Sequence, residues 1–180
     1  MSKCATRTAY GKALAELIQE NERVVVFDAD LAGSTKTAEA KKACPERHFD
    51  MGIAEANMIG IAAGMSAMGK IPFAYSFAPF ATRRCYDTIF ISVAYAKQHV
   101  KIVGSDPGIT AEANGGTHMP FEDMAMYRAL PGATVVDVTD TAMLENIFPQ
   151  LVSRAGVKYL RVNRKNNDLV YEAGSEFEIG

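Results

Sequence analysis

Ala9, Ala13, Leu14, Leu17 and Ile18 recur at helical intervals, so the chain opens with one apolar helical face that Asn21 closes. Val24-Val-Val-Phe27 follows as an unbroken apolar run, too short for a helix, and reads as a strand buried on both faces. The alternation then repeats: helix about Thr35 to Lys42, strand Phe49 to Met51, helix Ala56 to Met68, strand Ile71 to Tyr75, helix Phe80 to Lys97, strand Val100 to Gly104. After a loop rich in Gly and Asn, Asp106 to Thr117, come helix Phe121 to Leu130, strand Thr134 to Val138, helix Thr141 to Arg154 and strand Val157 to Val162. Pro131-Gly132 and Ala155-Gly156 stop helices just before strands. Short buried strands between amphipathic helices predict an α/β fold: a doubly wound, mainly parallel sheet of about six strands with helices on both faces.

A chain of 180 residues with 48% hydrophobic content fits a single compact domain over residues 1–180. Residues 165–180 are polar with little periodicity and read as a surface tail or the start of a linker to an absent C-terminal domain. The net charge of -2 and the scattered basic residues argue against a nucleic-acid partner. Cys4, Cys44 and Cys85 lack metal-ligand spacing and read as reduced thiols acting as small buried hydrophobes. The start has no apolar signal core, and no uncharged stretch reaches the ~18 residues of a membrane span, so a cytoplasmic protein without a membrane partner is expected.

Ligands of such sheets sit beyond the carboxyl ends of the strands, which directs attention to Asp28, Asp30, Glu55, Ser76 to Arg83, Asp106 to His118 and Asn163-Arg164. Glu55 stands between a strand and a charge-free helix, where a carboxylate can face a ligand or merely satisfy helix donors. Phe77 and Phe80, three apart, can stack on a flat heteroaromatic ring or fill the core. No Gly-x-Gly-x-x-Gly, phosphate loop or Gly-x-Ser-x-Gly elbow is present, and His48, His99 and His118 lack partners at metal-binding spacing, so no metal site is expected in this chain. Ala56, Gly60, Gly64 and Ala67 form a stripe of small residues suited to close helix packing, including across a subunit contact.

Three segments carry a resemblance: Phe49-Asp-Met-Gly-Ile-Ala-Glu-Ala-Asn-Met58, Tyr75-Ser-Phe-Ala-Pro-Phe-Ala-Thr-Arg-Arg84 and Asn114-Gly-Gly-Thr-His-Met-Pro-Phe-Glu122. From about Thr6 to Gly180 the chain resembles the pyrimidine-binding domain of transketolases, above all the C-terminal subunit of split bacterial ones. The resemblance implies the thiamine diphosphate-binding fold. It also implies a transferase of carbohydrate metabolism, in the pentose phosphate pathway, that moves a two-carbon ketol unit between sugars, most simply sugar phosphates. The chain has no Gly-Asp-Gly, the family's anchor for Mg2+ and diphosphate, so an N-terminal subunit carrying that motif is the implied partner. A homodimer of this chain within a heterotetramer, and inactivity of the isolated chain, follow from the same likeness.

Carried over residue by residue, the family gives Glu55 and His118 catalytic roles: Glu55 by bonding the cofactor's ring nitrogen, His118 by contacting the donor sugar. Asp30, Phe77, Phe80 and Arg83 fall with Glu55 at cofactor-binding positions, and Ser34, Asn114, His118 and Arg164 at substrate-binding ones. Two departures bear on the donor. Asn114 replaces an acid, and Asp106 stands where relatives carry a phosphate-holding histidine, which admits non-phosphorylated, sulfonated or branched sugars. Alternatives are a deoxyxylulose phosphate synthase-like protein, a 2-oxoacid dehydrogenase E1 β-like subunit, or a non-catalytic scaffold subunit.

Overall fold

The computed structural model describes residues 4–179. The first elements are β1 (Cys4–Ala5), α1 (Thr6–Glu20), β2 (Val24–Asp28), α2 (Ala32–Thr35), α3 (Ala38–Ala43), β3 (His48–Asp50), α4 (Glu55–Ala67) and β4 (Ile71–Phe77). They are followed by α5 (Tyr86–Thr88), a π-helical stretch Ile89–Tyr95, β5 (Lys101–Ser105), α6 (Asp123–Arg128), β6 (Thr134–Asp137), α7 (Thr141–Ser153), β7 (Lys158–Val162) and β8 (Asn166–Asn167). Six strands form one sheet in the order β3-β2-β4-β5-β7-β6, every pair parallel. The doubly wound α/β architecture read from the sequence is the observed one.

Both faces of the sheet are covered, which explains why its strands are continuous apolar runs rather than alternating ones. Along β2, Val24 and Val26 point to one layer with Tyr10, Leu14 and Ile18 of α1 and Leu144, Ile147 and Phe148 of α7. Val25 and Phe27 point the other way, to Met58, Ile59 and Ala62 of α4, Ile89 and Val93 of the π stretch, and Tyr127 of α6.

Three predicted helices differ from the observed ones. The helix expected over Phe80 to Lys97 begins only after a compact turn: the Thr82 hydroxyl donates to the Ala78 carbonyl at 2.7 Å, and Thr82 itself is far from helical at φ -124°, ψ -91°. A 3-10 turn Arg83–Cys85 and α5 then lead into the wide π turns. The helix over Thr35 to Lys42 is split at Lys36, which is left-handed at φ 70°. Buried Asp28 causes the break by accepting the hydroxyls of both Thr35 and Thr37 at 2.8 Å. The third, Phe121 to Leu130, is shortened to α6 because the Phe121 N–H donates to the Glu122 carboxylate instead of entering a helix.

The polar tail is tied down. β8 pairs antiparallel with β1, Asp140 accepts the Val170 and Tyr171 N–H groups at 2.8 and 2.9 Å, and Phe177 and Ile179 pack on the core beside α7. The small-residue stripe of α4 looks away from the core: Ala56, Gly64 and Ala67 are exposed, as are Ile53, Ile61 and Met68 around them. No helix among the described residues is long and apolar enough to cross a membrane.

Candidate active site at the carboxyl edge of the sheet

Glu55 is the first residue of α4 and is 1% exposed. Among the described residues its carboxylate accepts no backbone N–H: Oε1 takes an N–H of Arg84 at 2.8 Å and the Ser76 hydroxyl at 3.4 Å, while Oε2 is buried without a partner. A buried, unpartnered carboxylate oxygen is costly unless something bonds it.

Phe77 ends β4 and Phe80 sits in the turn after it, their ring centroids 6.1 Å apart. His118, in the 3-10 turn Gly116–His118, stands edge-on to both at 5.8 and 5.0 Å. Its Nδ1 pairs with the Thr117 hydroxyl at 2.9 Å. Phe80 and His118 line one cleft with Pro79, Arg83, Arg84 and Thr117, and Glu55 and Phe77 lie behind it, joined to it through Arg84 and through the ring contacts.

Arg83 and Arg84 diverge. Arg83 reaches outward to the Glu122 carboxylate and the Thr117 carbonyl, each at 3.1 Å, and fastens the turn to the 115–122 loop. Arg84 reaches inward, to Glu55, with its guanidinium carbon 3.8 Å from the centre of the Phe80 ring. Nothing local in the sequence singles out Arg84, because which member of the adjacent pair turns inward depends on the 3-10 register.

A second group lies beside Phe77. Arg164 bonds Asp106 through Nε at 3.1 Å and Asn114 Oδ1 at 3.2 Å, and its guanidinium lies 5.8 Å from the Phe77 centroid. Asp106 is 1% exposed and left-handed at φ 59°. Burial pushes its carboxyl up from the ordinary value, against the opposing pull of Arg164, Arg7 and His118. Arg7 stands 3.8 Å from the other Asp106 oxygen, with its Nε and Nη1 unbonded. No local motif marks Arg7. It arrives because Asn163 bonds the Thr6 hydroxyl and the Arg7 N–H at 2.7 and 3.2 Å.

The structure thus brings together Glu55, Phe77, Phe80, His118, Asn114 and Arg164. Asp30 and Ser34 lie apart from this group: among the described residues, no hydrogen bond or ring contact joins either side chain to it. Asp30 is exposed at φ 59°, its N–H donating to Asp50 at 2.9 Å, and Ser34 sits half-buried within α2. It is Asp28, not Asp30, that accepts the Leu31 N–H, at 2.5 Å. No group of three or more His, Cys, Asp or Glu among the described residues is placed to hold a metal ion.

The family described as "Transketolase, pyrimidine binding domain" matches residues 2–168. A 6-deoxy-6-sulfo-D-fructose transketolase subunit, SqwH, of Clostridium sp. (strain MSTE9) is 47% identical over 97% of this chain and 54% of its own length. A putative transketolase C-terminal section of Methanocaldococcus jannaschii is 44% identical, over 97% of this chain and 56% of its own. A solved structure described as a split gene transketolase, inactive beta4 tetramer, superposes with a TM-score of 0.86 at 44% identity, covering 98% of this chain and 57% of that one. This chain belongs to the transketolase pyrimidine-binding domain family. It spans about half the length of these curated relatives. The family implies thiamine diphosphate, and the residues present fit its pyrimidine half: an orphaned carboxylate oxygen for a ring nitrogen, and aromatic faces for the ring.

Proposed function

We propose that this chain is the pyrimidine-binding subunit of a split, cytoplasmic transketolase that moves a two-carbon ketol unit between sugars. The observation that carries the reading is Glu55 Oε2, buried and unbonded, on a carboxylate joined through Arg84 to the Phe80 ring. When bound, thiamine diphosphate supplies the nucleophilic carbon that takes up and releases the ketol unit. Glu55 would hold the ring nitrogen through a hydrogen bond at Oε2, from which burial would exclude water. Phe77 and Phe80 would orient the ring, and Arg83 fastens the rim by tying two loops together. With Nδ1 engaged by Thr117, His118 offers Nε2 to donor hydroxyls as proton acceptor and donor.

In this reading residues 1–180 form one domain, with 165–180 as its tail or the start of a linker. An N-terminal subunit bearing Gly-Asp-Gly holds the diphosphate and Mg2+, so the isolated chain is inactive. The exposed face of α4, with Ile53, Ile61 and Met68 around its small residues, supports self-association into the homodimer at the centre of a heterotetramer. The family match and the relatives favour this over a deoxyxylulose phosphate synthase-like or dehydrogenase-like subunit.

Asn114, His118 and Arg164 hold the donor. Its class follows from charge. Two guanidiniums, Arg7 and Arg164, face the single Asp106 carboxylate, leaving about one net positive charge. That matches a monoanionic sulfonate better than a phosphate dianion, in keeping with the substrate in the Clostridium relative's name. The test is reconstitution with the N-terminal subunit and a donor screen of sulfonated, phosphorylated and uncharged ketoses with an aldose acceptor. Glu55→Gln is expected to lower transfer at least about 100-fold, the range for losing a positioned acid or base. Undiminished transfer would establish the scaffold alternative.

A further inference from the structure

Arg84 contacts both groups to which the flat heterocycle is assigned, Phe80 and Glu55. Its guanidinium is planar, like the ring. It stacks 3.8 Å from the Phe80 centroid and donates in-plane to Glu55 Oε1 at 2.8 Å. The heterocycle is assigned to the other oxygen of that carboxylate, Oε2, which is buried without a partner, and to the Phe77 and Phe80 rings. The guanidinium therefore competes with it for the Phe80 face rather than for one oxygen, and His118 stands against Phe80 at 5.0 Å. We propose that Arg84 is a displaceable occupant of the pyrimidine seat: its guanidinium stands in for the heterocycle in the free chain and swings out as the heterocycle enters.

The energetics make this exchange selective. Arg84 is 42% exposed along its side chain, so its head is rehydrated on leaving, whereas Glu55 is 1% exposed and cannot be. Departure of the arginine alone would strand a buried carboxylate, which costs several kcal/mol. Only an incoming group that replaces both the stack and the hydrogen bond evicts it at small cost. Arg84 therefore closes the seat to water and to flat molecules without a ring donor, and holds Glu55 in place until the cofactor arrives. A population with the seat closed weakens the apparent affinity in proportion to the open fraction.

This inference rests on the reading of Glu55 as the pyrimidine's partner, and the experiment separates the two. The probe is the aminopyrimidine alcohol half of thiamine, 4-amino-5-hydroxymethyl-2-methylpyrimidine, titrated into the chain by calorimetry, with association rates from NMR exchange. Arg84→Met keeps a flexible apolar side chain without the planar cation. It is expected to tighten binding about threefold to tenfold and to speed association, the gain expected if the seat is open in roughly a tenth to a third of molecules. Arg84→Lys, which keeps charge but loses the planar stack, falls between wild type and Arg84→Met. Glu55→Gln weakens binding. Unchanged or weaker binding by Arg84→Met, with Glu55→Gln still impaired, overturns the displacement and leaves the Glu55 reading standing. Wild-type affinity in Glu55→Gln, or no saturable binding by wild type and Arg84→Met alike, overturns both.

Discussion

The Tyr159 hydroxyl lies 2.7 Å from the Asp123 carboxylate, and both residues are fully buried between β7 and α6. The same carboxylate takes two N–H groups of Arg161 at 2.8 and 3.2 Å, so a sheet residue and a helix end are joined by a satisfied polar network. Tyr159 also stacks at 4.1 Å on Tyr127, whose hydroxyl bonds the Ala81 carbonyl at 2.9 Å. That sequence of contacts supports the turn carrying Phe80 from beneath.

Asp123→Ala leaves the Tyr159 hydroxyl without its partner and Arg161 with a single carboxylate, Asp137, and is expected to destabilise by about 3–5 kcal/mol. Tyr159→Phe removes one hydroxyl and is expected to cost about 1–2 kcal/mol. Urea denaturation of the two variants gives both values; equal losses would contradict the network.

Gly11→Ala tests a close approach. A methyl group there would lie 2.7 Å from both Cβ and the carbonyl oxygen of Lys36, where the chain is left-handed. Helix propensity alone favours Ala by about 1 kcal/mol, so a loss of about 1–3 kcal/mol would have the opposite sign. Thermal melting decides between them.

Acid titration should separate two carboxylates of opposite sign. Burial works to raise Asp140, but the N–H groups of Met143, Tyr171 and Val170 outweigh it and its carboxyl ends below the ordinary value. Its contribution is present above the unfolded value of about 3.9 and is lost as pH falls through the folded one. Asp106 is raised, so its contribution is full below about 3.9 and is lost as pH rises through its higher folded value. Asp140→Asn should weaken stability most at neutral pH and least in acid. Asp106→Asn should flatten the profile just above pH 4, as read from denaturation at a series of pH values.

Arg164→Lys keeps the charge but loses the fork that joins Asp106 to Asn114. In the reconstituted enzyme, KM for an anionic donor is expected to rise about tenfold or more, and far less for an uncharged ketose. Equal rises for both donors would remove Arg164 from anion recognition.

The strand run Val24 to Phe27 was legible because burial on both faces leaves no polar alternation to confuse it with a surface strand. The junction at Glu55 was legible for the same local reason. The turn at Phe80 was not, because its geometry comes from Thr82 folding back on Ala78 and from Ala78 bonding Ser105 across the sheet. Arg84 was hidden with it, since only that register tells it from Arg83. Asp28 and Asp30 look alike in the sequence; only the left-handed turn at Asp30 turns one outward and leaves the other to bond Leu31, Thr35 and Thr37.

Arg7 and Arg164 come from opposite ends of the chain, and the Thr6–Asn163 bond that aligns them spans 157 residues. Contacts of such long range form late, since the connecting loop must be closed first. Bringing both guanidiniums onto Asp106 therefore requires nearly the whole chain to be closed into one loop. If that corner grips the donor's anion as proposed, parting the two ends would leave the aromatic cleft standing and remove the grip.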